Sequence, residues 1–147
     1  MKRDLSRSRQ SGCHNKFHID VRVEQPAIEE VRAAVMAYLA DLEIDIKASN
    51  RIEVILEELV SNVIRHAREA DYIRVTADRR AGEIGIVVED NGLLFNPLEA
   101  PEPVRSANLE DAVLGGQGIH LVRCLSKNFR YDRVGSCNRV SVAVPCG

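Results

Sequence analysis

Apolar residues recur along this chain with two different periods, and each switch of period marks a new element. Phe17, Ile19, Val21 and Val23 alternate with His18, Asp20, Arg22 and Glu24, which predicts a half-buried strand. Pro26 suits the first turn of a helix whose Ile28, Val31, Val35, Tyr38 and Leu39 fall at three- and four-residue steps. The helical spacing is stronger from about Ile46 to Ala67, through Ile52, Ile55, Leu56, Leu59 and Val63, and predicts a long amphipathic helix. Period two then returns. Ile73, Val75 and Ala77 share one face of a strand over Tyr72–Asp78, and Ile84, Ile86 and Val88 share one over Glu83–Glu89. The turn Arg79-Arg80-Ala81-Gly82 joins them as a hairpin. A short helix over Ile119–Ser126 precedes a fourth strand carrying Phe129 and Tyr131, and Val140, Val142 and Val144 alternate in a fifth.

Clean alternation in every strand predicts an α+β fold: a two-layer sandwich whose mixed, mostly antiparallel sheet carries helices on one face only. Helices on both faces would demand continuously apolar strands. Two stretches carry no periodic signal. Residues 1–16 are polar and basic, with Lys2, Arg3, Arg7, Arg9 and Lys16 against the lone acid Asp4, and are expected to fray beside a single domain over 17–147. Asn91–Leu114 holds Pro97, Pro101 and Pro103, and a connection of this length inside a compact domain reads as a lid.

Composition narrows the function classes. A chain of 147 residues suits one domain, removing about 68–70% of its unfolded surface from water. A net charge of −2 argues against a nucleic-acid-coating surface. No run of about 18 apolar residues offers a membrane span, and no signal-like apolar core follows the first basic residues, so the cytoplasm is the expectation. Cys13, Cys124, Cys137 and Cys146 are scattered without Cys-x-x-Cys spacing and read as free thiols. Cys13, His14 and His18 lie close together but lack an evident fourth ligand for a metal.

Candidate chemistry sits in three motifs. On the long helix, Glu58 and Asn62 are one turn apart and flank the Leu59 stripe, at the edge of the buried face where a cleft forms. A carboxylate there can accept a proton from an attacking hydroxyl, and an amide oxygen is a hard ligand suited to magnesium. Asp90-Asn91-Gly92 breaks the strand before it; Asp90 can accept from the exocyclic amine of adenine, and Gly92 allows close backbone approach. Gly115-Gly116-Gln117-Gly118-Ile119 opens a helix whose N–H groups favour anions. No Gly-Lys-Ser/Thr follows, and Gly115 follows a loop rather than a strand, which excludes the P-loop and dinucleotide patterns. Singly, these motifs also read as a solvated helix face, a plain turn and a glycine hinge. In this order and on these elements they point to an ATP site.

The set resembles the ATP-binding domain shared by gyrase, the ninety-kilodalton heat-shock chaperone, sensor histidine kinases and mismatch-repair ATPases. Within that superfamily it is most similar to the stand-alone anti-sigma factor serine kinases. The resemblance rests on Glu58-Leu59-Val60-Ser61-Asn62-Val63-Ile64-Arg65-His66-Ala67, on Asp90-Asn91-Gly92-Leu93-Leu94-Phe95-Asn96-Pro97, on Gly115 to Arg123, and on the tail Gly135-Ser136-Cys137-Asn138-Arg139-Val140. It spans about Phe17 to Pro145. Leu94 stands where many relatives in the wider superfamily carry a further glycine, which the anti-sigma group often lacks as well.

The resemblance implies Glu58 as general base, Asn62 as magnesium ligand, Asp90 as adenine contact, Gly92 lining the base pocket, and Gly116 and Gly118 bordering the phosphates, with Ile119 at the helix start. His66, two turns beyond Glu58, reads either as a packing or capping residue or as a neighbour of the nucleotide site, and Arg105 lies in the long loop, from which it could reach the γ-phosphate; a solvated loop charge is the plainer reading of Arg105. It further implies a protein serine/threonine kinase that uses ATP with Mg²⁺, binds a sigma factor, and phosphorylates a small antagonist (anti-anti-sigma) protein; homodimers are typical of the group. A nucleotide-gated protein-binding module with weak catalysis is the alternative, and the intact Glu58–Asn62 pair favours the enzyme. A histidine-kinase catalytic domain fits less well, because the chain lacks the dimerising hairpin that bears the phospho-accepting histidine.

Overall fold

The computed structural model describes residues 16–99 and 117–146. Its element order is β1 (Lys16–Arg22), α1 (Ala27–Ala40), α2 (Ile46–His66), β2 (Tyr72–Arg80), β3 (Glu83–Asp90), a 3₁₀ turn (Pro97–Glu99), α3 (Gln117–Leu125), β4 (Lys127–Val134) and β5 (Cys137–Pro145). The strands form a five-stranded sheet in the order β1-β2-β3-β5-β4, and every pairing is antiparallel.

Alternation decides what each face does. On the inner face Val75 of β2, Val88 of β3 and Val140 of β5 stand in register, as do Ala77, Ile86 and Val142. These side chains are buried with the stripe Ile52, Ile55, Leu56, Leu59, Val60 and Val63 of α2 and with Val31, Val35 and Leu39 of α1. The outer face carries a row of alternating charge across all five strands: Asp20, Arg74, Glu89, Arg139 and Asp132 are successive cross-strand partners. Within it Arg74 pairs with Asp20 at 2.7 Å and Arg139 with Glu89 at 2.9 Å. A slip of one residue would turn valines to solvent and these charges to the core, so the two faces jointly pin the register.

Helix α2 starts at Asp45, whose side chain accepts from the Lys47 N–H at 3.0 Å, and its last turn carries Arg65 and His66, which complement the helix dipole. Pro26 stands immediately before α1 as its N-cap rather than inside the first turn. Helix α3 begins two residues earlier than its apolar pattern suggests, so Gly118 lies within its first turn. Buried Ile119 and Val122 seat α3 on the core. Replacing the fully buried Ile55 by Ala should cost about 2–5 kcal/mol in a denaturant titration, because the site is enclosed by sheet and helix and cannot collapse.

Candidate functional site

The amphipathic stripe of α2 sets the helix rotation, and that rotation brings the half-buried Glu58 and Asn62 to the margin of the core. Asn62 lines a pocket with Leu59, Val63 and Ala67 from α2, Val88 and Asp90 from β3, and Asn138 and Val140 from β5; Phe95 and Pro97 close it from the loop after β3. Apolar walls with a few converging polar groups are the composition of a small-molecule site.

Asp90 is only 5% exposed. Its Oδ1 accepts from the Gly92 N–H at 2.9 Å and from Asn138 Nδ2 at 3.0 Å. Gly92 is required by close approach: a Cβ there would lie 2.9 Å from the Arg68 carbonyl oxygen and 3.1 Å from Ala70 Cβ. The neighbouring Leu93 N–H donates to that same carbonyl at 2.8 Å, locking the turn onto the end of α2. Asn91 Oδ1 accepts from Asp71 N at 2.8 Å and Tyr72 N at 3.2 Å, so it braces the start of β2 and takes no part in the pocket.

At the other end of the Glu58–Asn62 line, Gly118 presents bare backbone to the Glu58 carboxylate. A Cβ on Gly118 would overlap Glu58 Oε2 and stand 2.9 Å from Cδ. The carboxylate therefore sits directly against the first turn of α3, where unpaired N–H groups favour negative charge. Of the residues expected at the site, Asn62 and Asp90 line this pocket, Gly92 bonds to Asp90 beside it, Glu58 and Gly118 meet at the first turn of α3, and Ile119 is buried in the core. Gly116 and Arg105 lie outside the described residues, as do most of the loop over Asn91–Leu114 and all but the last residue of the 1–16 segment.

His66 faces Phe95, their rings stacked with centroids 5.1 Å apart and planes at 16°. Burial pushes the imidazole below its ordinary pKa of 6.5, and the nearby Arg65 charge adds in the same direction. Arg123, which by sequence resembles a surface charge, donates to the Leu98 carbonyl at 2.8 Å and lies over the Phe129 ring, tying the 3₁₀ turn to α3. Among the described residues no group of three or more His, Cys, Asp or Glu is placed to hold a metal ion. A magnesium carried mainly by phosphates needs no such group; the Asn62 amide on the pocket wall could supply one hard oxygen.

The residue that pattern reading passed over is Asn138. It is 2% exposed and in phase with Val140, Val142 and Val144, so the period-two pattern of β5 already directs its amide into the core, the signal that could have found it. Arg133 was missed too; it lies on the otherwise mostly exposed β4, and its Nη1 donates to the Gly92 carbonyl at 2.8 Å.

A depressed imidazole pKa means that the unfolded chain takes up the proton more readily than the folded one. Stability from this group is therefore complete above pH 6.5 and declines as pH falls through that value. An NMR titration should place His66 below 6.5, and Phe95→Ala, which uncovers the ring, should move it back toward the ordinary value.

Comparison with known proteins agrees with this geometry. The family model of the histidine kinase-like ATPase domain matches residues 21–144. The serine/threonine-protein kinase BtrW of Bordetella bronchiseptica is 27% identical over 89 residues, 58% of this chain and 63% of that protein. The anti-sigma F factor of Clostridium perfringens is 32% identical over 100 residues, 65% of this chain and 71% of that protein. Among solved structures, the RsbU and RsbW domains of Rv1364c from Mycobacterium tuberculosis superpose with a TM-score of 0.61 at 18% identity, covering 89% of this chain and 32% of theirs, which speaks for the fold alone. With helices and antiparallel sheet arranged as that fold requires, and the family match running through nearly every described element, the chain belongs to the histidine kinase-like ATPase family, in its anti-sigma factor branch.

Proposed function

We propose that this protein is an anti-sigma factor kinase: it binds Mg-ATP, transfers the γ-phosphoryl group to a serine or threonine of a small antagonist protein, and sequesters a sigma factor. The observation that carries the reading is a division of labour along the Glu58–Asn62 edge of α2. A buried carboxylate, Asp90, stands at the apolar end, and a second carboxylate, Glu58, lies against glycine backbone at the start of a helix. One end suits a base with an exocyclic amine; the other suits a polyphosphate beside a proton acceptor. The names of the similar proteins, an anti-sigma F factor and a serine/threonine-protein kinase, support the same assignment.

The chemistry follows from those positions. In this reading Leu59, Val63, Val88 and Val140 would line the purine, and Asp90 would accept from its amine. Gly118 adds no Cβ of its own to the first turn of α3, whose N–H groups would face the phosphates once the Glu58 carboxylate swings aside. Magnesium, when bound, would neutralise phosphate charge, and Asn62 is the residue that would hold it. Glu58 accepts the proton of the attacking hydroxyl as the new O–P bond forms and the bond from the γ-phosphorus to the bridging oxygen breaks, and ADP leaves with the bonding electrons. A phosphate newly placed on the antagonist weakens any apolar interface around it, so the sigma factor stays sequestered. No helix among the described residues is long and apolar enough to cross a membrane.

Two substitutions test the assignment. Glu58→Gln should lower transfer of labelled γ-phosphate to the antagonist by at least about 100-fold while ATP still binds. Gly118→Ala should leave the melting temperature nearly unchanged, because the clash falls on the flexible end of Glu58; by displacing that carboxylate it should cut transfer by about 10- to 100-fold. Undiminished transfer in Glu58→Gln would remove Glu58 from the mechanism. Absence of transfer in the wild type with ATP bound would leave a gated binding module in place of a kinase.

A further inference from the structure

Asn138 makes more side-chain hydrogen bonds than any other residue around the pocket. Its Oδ1 accepts from Phe95 N at 3.1 Å, from the Tyr131 hydroxyl at 2.5 Å and from Arg133 Nη1 at 3.1 Å. Its Nδ2 donates to Asp90 Oδ1 at 3.0 Å and to the Leu93 carbonyl at 2.8 Å. The sheet register itself sets this up, because Asn138 is the direct cross-strand partner of both Asp90 and Arg133.

We propose that Asn138 is the positioning residue that sets base selectivity in this cleft, by holding Asp90 as a pure acceptor with a single oxygen left for the ligand. The inference rests on the nucleotide-binding reading above and adds to it a residue and a cause. Each carboxylate oxygen has two lone-pair directions. On Asp90 Oδ1 both are taken, one by the Gly92 N–H and one by Asn138 Nδ2, while Oδ2 has no hydrogen bond among the described residues. With Oδ1 taken up by two donors, the carboxylate turns only the lone pairs of Oδ2 to the base, an acceptor. A purine presenting a 6-amino donor is accepted; one presenting a 6-oxo group sets lone pair against lone pair.

What makes the selection depend on Asn138 is that its amide cannot turn over. A flip would aim Nδ2 at the Phe95 N–H, the Tyr131 hydroxyl and the Arg133 guanidinium, and would bring Oδ1 against the Asp90 carboxylate and the Leu93 carbonyl. Three donors on one side and two acceptors on the other therefore fix the polarity. Burial is the main cause raising the Tyr131 phenol above its ordinary pKa, which keeps it a donor. The same amide also ties the chain leaving the pocket, through Leu93 and Phe95, to the carboxylate that reads the base. Besides Asp90, the charged or titratable groups around it are Tyr131 and Arg133 of β4 and, across Phe95, His66 of α2.

The test is calorimetric binding of ATP and of inosine triphosphate, its 6-oxo counterpart, with magnesium, to the full chain and to Asn138→Asp and Tyr131→Phe. Wild type should prefer ATP by about 10- to 100-fold, the range expected of a hydrogen bond to a charged group. Asn138→Asp keeps the shape but sets a second carboxylate against Asp90, and the pair then shares a proton. In that variant the preference should shrink to within about threefold and become pH-dependent, inosine triphosphate gaining as pH falls and the protonated pair becomes a donor. Tyr131→Phe removes one of the three donors that fix the amide and should narrow the preference by about threefold. A wild-type preference that survives unchanged and pH-independent in both variants overturns the inference while leaving the nucleotide site standing. If Asn138→Asp does not fold, an unchanged ratio in Tyr131→Phe overturns it alone. Failure of the wild type to bind either nucleotide overturns the kinase reading and this inference together.

Discussion

The rest of the structure depends on how the apolar stripe of α2 seats on the sheet. Ile52, Ile55, Leu56, Leu59, Val60 and Val63 are all buried, and their removal from water contributes about 1.5–3 kcal/mol for each large side chain. That burial permits one rotation of the helix. Successive residues turn by about 100°, so a rotation of a single position would bury Glu58 and Asn62 or carry them away from the cleft. The reactive residues occupy their margin because the hydrophobic ones beside them cannot be anywhere else. The 21-residue length of the helix then spaces functions along one line: Glu58 beside α3, Asn62 on the pocket wall, and His66 beneath Phe95.

The sheet supplies the other half of the site by the same economy of register. Its inner face is largely apolar up to the row in which Ile73, Asp90, Asn138 and Arg133 are successive partners on four strands. A carboxylate at the end of an apolar face would be costly without partners; here its neighbours in the row and in the turn provide them. The outer face solves a different problem. With no helix among the described residues placed on it, a row of alternating charges keeps it wet, and ion pairs join β1 to β2 and β3 to β5.

The two ends of the cleft differ in how they hold negative charge. At the apolar end, Asp90 is immobilised by backbone and amide donors inside the sheet. At the other end, Glu58 leans against a glycine in the first turn of a helix and keeps a flexible stem. A rigid acceptor suits recognition, where the lone-pair direction must not wander. Under the proposed kinase reading, a carboxylate that makes room for phosphates and then receives a proton would need the freedom that the glycine leaves it.

Much of this was legible in the chain itself, because periodicity is a local property. Alternation of Val140, Val142 and Val144, or the stepping of Ile52 to Val63, decides strand or helix without reference to anything distant. Motif order likewise raised the expectation of a nucleotide site at Glu58, Asn62, Asp90, Gly92 and Gly118; the fold puts Asn62 and Asp90 on one pocket and Glu58 against Gly118. Tertiary structure decided what depends on partners remote in sequence. Arg123 acts on Leu98, Arg133 on Gly92, and Asn138 on Asp90, contacts across separations that no periodicity encodes. The reason is that a hydrogen bond's worth depends on which acceptor the fold delivers and how dry it is on arrival, and both are set by the strand register and the helix seating together.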